Sequence, residues 1–434
     1  MHNLLVWKKE NEYQKLFYSS IITGMGSRFT QVALLTLIYQ LTQSGFAIGM
    51  LFLLRLIPFL FIAPIGGMLA DRFDKKHILF FVEILRMPIV LTLLLVNHPS
   101  ALWIVYVSSF GLAIGEAIYA PTRKAMIPSL VKKEHIIHVN AIEQISVGLV
   151  LVIGSSLGGV ISFLFGIHTA FLLNAICFFI SSLILLTIHP LNEKRMMQQS
   201  QQLGFPTHSF RRLFRSRLLV IFIVIAFTMP IANGIDNVLI SIYALEVFEM
   251  GEMGVGLMYT CLGIGFIISS FLSNVIKKRL VLVTILFIAF EGLGHIFLSV
   301  SPSFWIALTV VIFITFSGGI SDISIDTMIM KTVPKSTIGK FFGLTQMITN
   351  VTLGMMMAVG GLLLEIVDPR PLSAIVGFLY NSSQSFIGCY LERFISIMKK
   401  ENYFPSLINL KMHSRPFLAW SAFFIPAILP DMIL

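Results

Sequence analysis

Charged side chains lie inside stretches of this sequence that are otherwise apolar. An ionised group at the centre of a lipid bilayer costs at least about 2.5–3.5 kcal/mol on insertion scales, so each one needs a partner or a function. A desolvated carboxyl group can exchange protons, and an arginine there attracts anions or keeps a neighbouring carboxylate ionised. These residues therefore indicate proton exchange or the binding of a charged solute. They are Arg28, Arg55, Glu83, Arg86, Glu116, Glu143, Asp236, Glu291, Asp322 and Asp326.

Three of the carboxylates are the candidates for proton coupling, and we favour Glu116 and Asp236 over Glu291. Glu116 stands among small residues near the end of its apolar run, Asp236 has an asparagine next to it, and Glu291 is central in its run. Any one of them could instead be a structural carboxyl with satisfied hydrogen bonds. Arg28 and Arg55 lie near the middle of their runs, and we expect them to point inward as further candidates for coupling or substrate binding.

Other charged residues are spaced for pairing along a helix. Glu83 and Arg86 are three residues apart, so they can form an intrahelical pair, which we expect to support a gate. Asp322 and Asp326 either form a second acidic site or neutralise the two lysines that follow them, and we favour the second interpretation. His295 could share a hydrogen bond with the carboxylate one turn before it.

Eleven apolar runs must position these groups. Each is long enough for the roughly 20 residues at 1.5 Å rise that cross a hydrocarbon layer about 30 Å thick. A twelfth run begins near residue 371. The runs are 16–40, 46–69, 78–97, 102–121, 139–164, 168–189, 218–243, 254–276, 281–299, 304–329 and 341–364.

The gaps between the runs alternate in charge. Lysine and arginine occupy the N-terminal segment and every second gap, whereas the opposite gaps contain Arg370 alone. Membrane insertion retains cationic loops on the cytoplasmic side. The sequence therefore predicts a multi-pass protein of the bacterial cell (inner) membrane with its N-terminus in the cytoplasm, and the first run is expected to be an uncleaved helix.

Composition excludes several classes of protein. Of 434 residues, 56% are hydrophobic and 12% are charged, so no separate soluble domain fits between the runs. The net charge of +10 is spread over membrane-edge loops and does not predict nucleic-acid binding. The cysteines lack metal-ligand spacing and are expected to be packing residues. We expect no metal and no cofactor other than a proton gradient.

A glutamine-rich and cationic segment divides the chain into two halves. The predicted domains are an N-terminal six-helix bundle at 1–189, a cytoplasmic linker at 190–217, a C-terminal bundle at 218–395 and an atypical tail at 396–434. The two halves share an internal echo. Asn140-Ala-Ile-Glu-Gln144 followed by a Gly-Gly pair resembles Phe342-Gly-Leu-Thr-Gln346 followed by Gly-Gly at the same spacing. Two such repeats could rock around a central cavity.

One loop carries a recognisable motif, Gly67-Met-Leu-Ala-Asp71-Arg72-Phe-Asp-Lys75-Lys76. It resembles the signature loop of the major facilitator superfamily, G-x-L-A-D-R-x-G-R-[RK]. Independently of the resemblance, the glycine would let helices approach closely, and the aspartate could accept from backbone donors at another helix's N-terminus. In that family the loop is thought to latch the two halves in the outward-facing state.

Further segments resemble the drug:proton antiporter branch of macrolide-efflux and siderophore exporters, over about residues 16–365. These segments are Phe29-Thr-Gln-Val-Ala-Leu34, Arg55-Leu-Ile-Pro58, Glu83-Ile-Leu-Arg86 and Ala120-Pro-Thr-Arg-Lys-Ala125. The resemblance implies an all-α polytopic membrane protein of the major facilitator fold. It implies twelve transmembrane helices, or eleven plus an aberrant last one, in two six-helix halves.

The fifth run contains Gly154-Ser-Ser-Leu-Gly158-Gly159, which is similar to the antiporter motif G-P-x-x-G-G. Serine at position 155 replaces the usual proline, which makes a bend at this place uncertain. The three glycines are still expected to pack closely against a neighbouring helix.

The C-terminus departs from this pattern. Polar residues interrupt the twelfth run after Tyr380, and the remainder shows no likeness to the family. A shifted reading frame after about residue 380 would explain the change, and we favour it over a polar twelfth helix with an amphipathic tail. We expect 396–434 to pack poorly against the bundle.

The leading hypothesis is a secondary exporter that expels small amphipathic compounds while protons enter. It would act as a monomer in the lipid bilayer, with a small molecule as its substrate. Alternatives are a metabolite importer or uniporter and a non-transporting membrane sensor. A membrane enzyme is disfavoured because the sequence contains no HExxH, GxSxG or Walker motif.

Overall fold

The computed structural model describes residue 7 and residues 10–42, 45–189, 217–272 and 280–383. Within these ranges all regular secondary structure is helical. The helices in chain order are α1 Asn11–Thr42, α2 Gly45–Arg72, α3 Lys75–Leu91, α4 Leu102–Leu130, α5 Ile136–Phe165, α6 Ile167–Leu186, α7 Arg217–Ile242, α8 Gly251–Ser269, α9 Leu280–Ser299, α10 Phe304–Thr332, α11 Ile338–Leu364 and α12 369–383.

The predicted all-helical membrane fold is confirmed. Eleven helices of the described part are long and apolar enough to cross a membrane, and they coincide with the eleven apolar runs. The twelfth helix begins near the predicted residue 371. The linker up to residue 216 and the chain after 383 lie outside the described residues, as do the expectations about 396–434 and the reading frame.

Local sequence explains where several helices begin and end. The carboxylate of Asp74 accepts a hydrogen bond from the backbone of Lys76 at 2.9 Å and thereby caps the N-terminus of α3. Gly166 joins α5 to α6 with φ of 85°, a left-handed conformation that favours glycine. Prolines inside the helices are tolerated because neighbouring helices and side chains satisfy the freed backbone groups.

The helices form two groups with the same internal packing. In the first group α1 packs on α5, α2 on α4, and α3 on α4. In the second group α7 packs on α11, α8 on α10, and α9 on α10. The corresponding helices α4 and α10 both contain 29 residues. The groups meet where α2 and α4 contact α11, and where α5 contacts α8 and α10.

The two ends of the bundle differ in charge. The turns after α2, α4 and α10 carry lysine and arginine, and we call this end the basic end. At the opposite end, the guanidinium of Arg370 donates hydrogen bonds to the backbone carbonyls of Ser299 and Ser301 at 3.1 and 2.8 Å. Arg370 therefore caps the C-terminus of α9.

Candidate functional site

The predicted signature loop joins the two groups at the basic end. The backbone N–H groups of Gly339 and Lys340, in the first turn of α11, donate to the two carboxylate oxygens of Asp71 at 2.7 and 2.9 Å. A carboxylate at this place also faces the positive end of the helix dipole. The predicted contact between Asp71 and a helix N-terminus is present, and α11 is the helix concerned.

Glycines allow α2 and α11 to cross closely beside this contact. A side chain at Gly67 would collide with the backbone of Gly339 and would lie 3.1 Å from the Cα of Gly343. Because none of these residues has a Cβ, backbone packs directly against backbone. The glycine crossing and the Asp71 contact together bind the two groups at the basic end.

The remaining residues of the signature loop contribute to its local structure. Asp74, which stands where the family has a second glycine, caps α3 and also lies 2.7 Å from the Nδ1 atom of His77. Arg72 is exposed, whereas Lys75 and Lys76 are half-buried at the start of α3. The departure from the family pattern therefore replaces a glycine with a helix cap.

A second set of contacts between the groups was not predicted. The Lys124 ammonium on α4 lies 3.0 Å from the Asp326 carboxylate on α10. At the next residue of α10, the Thr327 hydroxyl accepts from the Asn140 amide on α5 at 3.0 Å. The expectation that Asp326 neutralises Lys331 and Lys335 is therefore wrong, because its ion-pair partner is Lys124. The sequence signal was present, since a lysine on α4 and an aspartate on α10 occupy equivalent places in the two halves.

A cavity of about 880 Å³ lies between the two groups. It extends from Phe342 near the basic end to Gly256 in the first turns of α8 at the opposite end. Apolar side chains form much of its wall, as is usual for sites that take small molecules. Its charged and acidic lining residues are Arg28, Lys124, Asp236, Glu291, Asp322 and Asp326.

Asp236 and Glu291 belong to a buried polar cluster in the wall formed by α7, α9 and α12. The Asp236 carboxylate lies 3.4 Å from the Nδ1 atom of His295, whose ring stacks on Tyr380 at 5.2 Å between centroids. The Tyr380 hydroxyl donates to Asn233 at 2.7 Å. His295 thus approaches Asp236, not Glu291 as suggested above.

Several atoms of this cluster remain without partners. Oδ1 of Asp236, Oε2 of Glu291 and both ring nitrogens of His295 have no hydrogen-bond partner among the described residues. Buried polar atoms without partners are costly, so a bound proton or a bound cationic group would stabilise the cluster. The cluster is therefore chemically suited to exchanging a bound proton for a bound cationic group.

The predicted pair of Glu83 and Arg86 is not formed. Arg86 instead pairs with Glu116 on α4 at 3.0 Å. Glu83, which is fully buried, accepts from the hydroxyls of Thr23 and Ser181 at 2.6 and 3.2 Å. The spacing of three residues places Glu83 and Arg86 on one helix face but does not make them a pair. The Glu116 carboxylate of α4 forms the ion pair with Arg86 instead.

The two mid-run arginines are placed differently. Arg28 lines the large cavity and donates to the side chain of Gln31 at 3.0 Å. Arg55 lines a separate small pocket together with Glu116. Of the three carboxylates proposed for proton coupling, Asp236 and Glu291 therefore face the large cavity, whereas Glu116 faces the side pocket.

The glycine motif of α5 packs on α1, with one exception. A Cβ at Gly154 would lie 3.2 Å from the Cβ of Arg28, and one at Gly158 would lie 3.1 Å from the Cα of Phe29. A Cβ at Gly159 would meet no atom of the described residues within 4 Å, so the packing prediction is wrong there. The helix widens into a π turn at Val150–Gly154, immediately before the serine that replaces the family's proline.

Two groups of membrane-length helices, bound together at one end and separated by a largely apolar cavity with charged residues in its wall, define a polytopic membrane transporter. The sequence profile of the Major Facilitator Superfamily matches residues 16–359. The chain belongs to this family, and the resemblance seen in its motifs is confirmed.

Curated relatives include transporters with efflux functions. The chain is 26% identical to the uncharacterized MFS-type transporter YfiS of Bacillus subtilis, over 83% of this chain and 88% of the relative. It is 24% identical to the enterobactin exporter EntS of Salmonella typhi, over 79% and 83%. It is 27% identical to the macrolide efflux protein A of Streptococcus pyogenes, over 30% and 33%.

Solved structures share the fold. An outward-facing bacterial homologue of the iron transporter ferroportin aligns with a TM-score of 0.67 at 14% identity, over 89% of this chain and 99% of that one. The human organic anion transporter MFSD10 aligns with a TM-score of 0.71 at 11% identity, over 87% and 99%.

Proposed function

We propose that this transporter is a proton-coupled exporter of small amphipathic compounds. The observation that carries the proposal is the cavity of about 880 Å³, whose largely apolar wall includes the buried carboxylates Asp236 and Glu291. An apolar wall suits a lipophilic body, and a carboxylate that releases its proton suits a polar or cationic group. Efflux of macrolides and siderophores by relatives is consistent with this class of substrate.

Exchange at the buried cluster would couple the two fluxes. Protonation of Asp236 or Glu291 removes a buried negative charge, and substrate would bind best when that charge is present. A proton entering from outside would then displace the substrate, and the empty protonated protein would return and release its proton inside. The proton gradient would supply the energy, with no cofactor.

The alternation of access would use the contacts at the basic end. We place this end in the cytoplasm of a bacterium, because cationic loops are retained there during insertion. The contacts of Asp71 with α11 and of Lys124 with Asp326 then close the cytoplasmic side, so the structure corresponds to an outward-facing state. They must break when the transporter turns inward. We propose a monomer embedded in the lipid bilayer.

Transport in inverted membrane vesicles tests the proposal. An efflux-deficient bacterium would produce the protein, and macrolides, dyes and siderophores would be supplied outside the vesicles. Uptake by wild-type vesicles should follow an imposed pH gradient and collapse with it. Asp236→Asn and Glu291→Gln should each abolish this dependence, and Glu116→Gln is measured beside them.

Glu365→Gln is the matched control, because that carboxyl is exposed at the opposite end of the bundle. It should transport like wild type. Uptake that persists without a gradient, or that is unaffected by the two cluster substitutions, would refute proton coupling at this site. Accumulation only in right-side-out vesicles would indicate an importer, and binding without any transport would indicate a sensor.

A further inference from the structure

A small polar pocket lies inside the first group of helices, beside the large cavity. Its volume is about 30 Å³, close to the share of liquid volume that one water molecule occupies. Helices α1, α2, α3, α4 and α6 contribute its wall. Gln31 lines both spaces, so the pocket is a side chamber of the transport cavity.

Positive charge predominates in this chamber. The guanidinium groups of Arg55 and Arg86 both line it. Glu116 is the carboxylate in its lining, and that group is engaged with Arg86 at 3.0 Å. Among the described residues no carboxylate lies within ion-pair distance of Arg55. The chamber therefore holds one carboxylate for two guanidinium groups, and that carboxylate is paired directly with Arg86.

Unused hydrogen-bond donors line the same chamber. Arg86 and Ser109 are 4% and 1% exposed, yet Nε and Nη1 of Arg86 and the hydroxyl of Ser109 have no partner among the described residues. The guanidinium of Arg86 also stacks on Phe178, with 4.4 Å to the ring centroid, which holds it in place. Buried donors of this kind are costly unless something accepts from them.

We propose that this chamber is an anion site, in which Arg55, Arg86 and Ser109 bind one chloride ion or one carboxylate group. A pocket of this size has room for a small anion. An anion would pair directly with Arg55, which has no ion-pair partner among the described residues, and would accept from the unused donors. Free chloride and the carboxylate of a transported compound reaching past Gln31 share this chemistry, and the second source rests on the proposed export function.

Thermal unfolding of the purified protein in nanodiscs tests the site directly. Chloride or formate would be titrated into sodium gluconate at constant ionic strength and pH, since gluconate is too large for the chamber. Each small anion should raise the Tm of the wild type along a saturable curve, because a ligand of the native state stabilises it. Arg55→Gln should weaken the apparent affinity about 10- to 100-fold, as expected for a lost hydrogen bond to a charged group.

Two variants separate binding from mere structure. In gluconate alone, Arg55→Gln should keep or raise the Tm, because it removes a partly buried charge that has no direct ion-pair partner among the described residues. A structural arginine would give a lower Tm in every salt. Ser109→Ala removes a donor but no charge, and should weaken the anion effect even if Arg55→Gln does not fold. Lys132→Gln, on an exposed turn, should respond to the anions like wild type.

Transport then distinguishes the source of the anion. In chloride-free vesicles a carboxylate-bearing substrate should compete with formate, whereas its methyl ester should not. If only chloride and formate bind, the site serves a free ion. A wild-type Tm that does not respond to either anion, or responses in Arg55→Gln and Ser109→Ala that equal the wild-type response, would overturn the anion site. Since unfolding needs no transport, failure of proton-driven export would leave this result standing.

Discussion

Gly343→Ala should force the basic end of the bundle apart. Gly343 lies on α11, where its backbone faces α2. An added Cβ would collide with the carbonyl oxygen of Ala63 and would lie 3.2 Å from that carbonyl carbon and 3.1 Å from the Cα of Gly67. These neighbours are backbone atoms, which cannot rotate away as a side chain can. The two helices must therefore separate by several tenths of an ångström.

The size of the effect follows from overpacking. Inserting a methyl group into a closely packed contact costs about 1–3 kcal/mol. The cost falls only on the state in which α2 and α11 touch, so it changes the equilibrium between closed and open basic ends. An energy difference of about 1–3 kcal/mol corresponds to a population shift of roughly 5- to 150-fold.

Spin labels on the two groups report this equilibrium. Lys132 follows α4 and Lys335 follows α10, and both are exposed at the basic end. Cysteines at these two positions would carry the labels, and pulsed electron resonance would give their distance distribution in nanodiscs. Gly343→Ala should transfer population from the shorter to the longer distance.

Gly361→Ala is the matched control on the same helix. A Cβ there would meet no atom of the described residues within 4 Å, so the distances should stay as in wild type. The gain in helix propensity from glycine to alanine is common to both variants. If Gly343→Ala leaves the distances unchanged, or if both variants change them equally, close packing at Gly343 does not control closure.

Three further outcomes are expected. Lys124→Gln and Asp326→Asn should each open the basic end. A double-mutant cycle on the same label distances should show that their effects are not additive, as required for a direct pair, and additive effects would contradict the contact. Glu83→Gln should preserve or raise the Tm, because the amide oxygen can still accept from the neighbouring hydroxyls while a buried charge is removed. A fall in Tm of several degrees would show that the charge of Glu83 is itself stabilising. Gly158→Ala should lower the Tm more than Gly159→Ala, because only the former glycine packs on α1, and equal values would contradict this packing.

Patterns that repeat along the chain were readable from the sequence. Runs of apolar residues long enough to span a bilayer gave the number, length and order of the helices, because the backbone must satisfy its hydrogen bonds within each helix there. The signature loop also indicated its own contact. The Asp71 carboxylate, in the last turn of α2, was predicted to accept from the backbone donors of a helix N-terminus, and it does so from that of α11.

Pairing between helices was decided by the tertiary structure. Arg86 lies on the same helix face as Glu83, yet it pairs with Glu116 of another helix. Tyr380 is the last residue before the likeness to the family ends, and nothing in the sequence indicated a role for it. In the structure its ring stacks on His295 and belongs to the buried cluster. Helical spacing fixes the direction of a side chain around its own axis, but only the packing of neighbouring helices sets which groups come within a few ångströms.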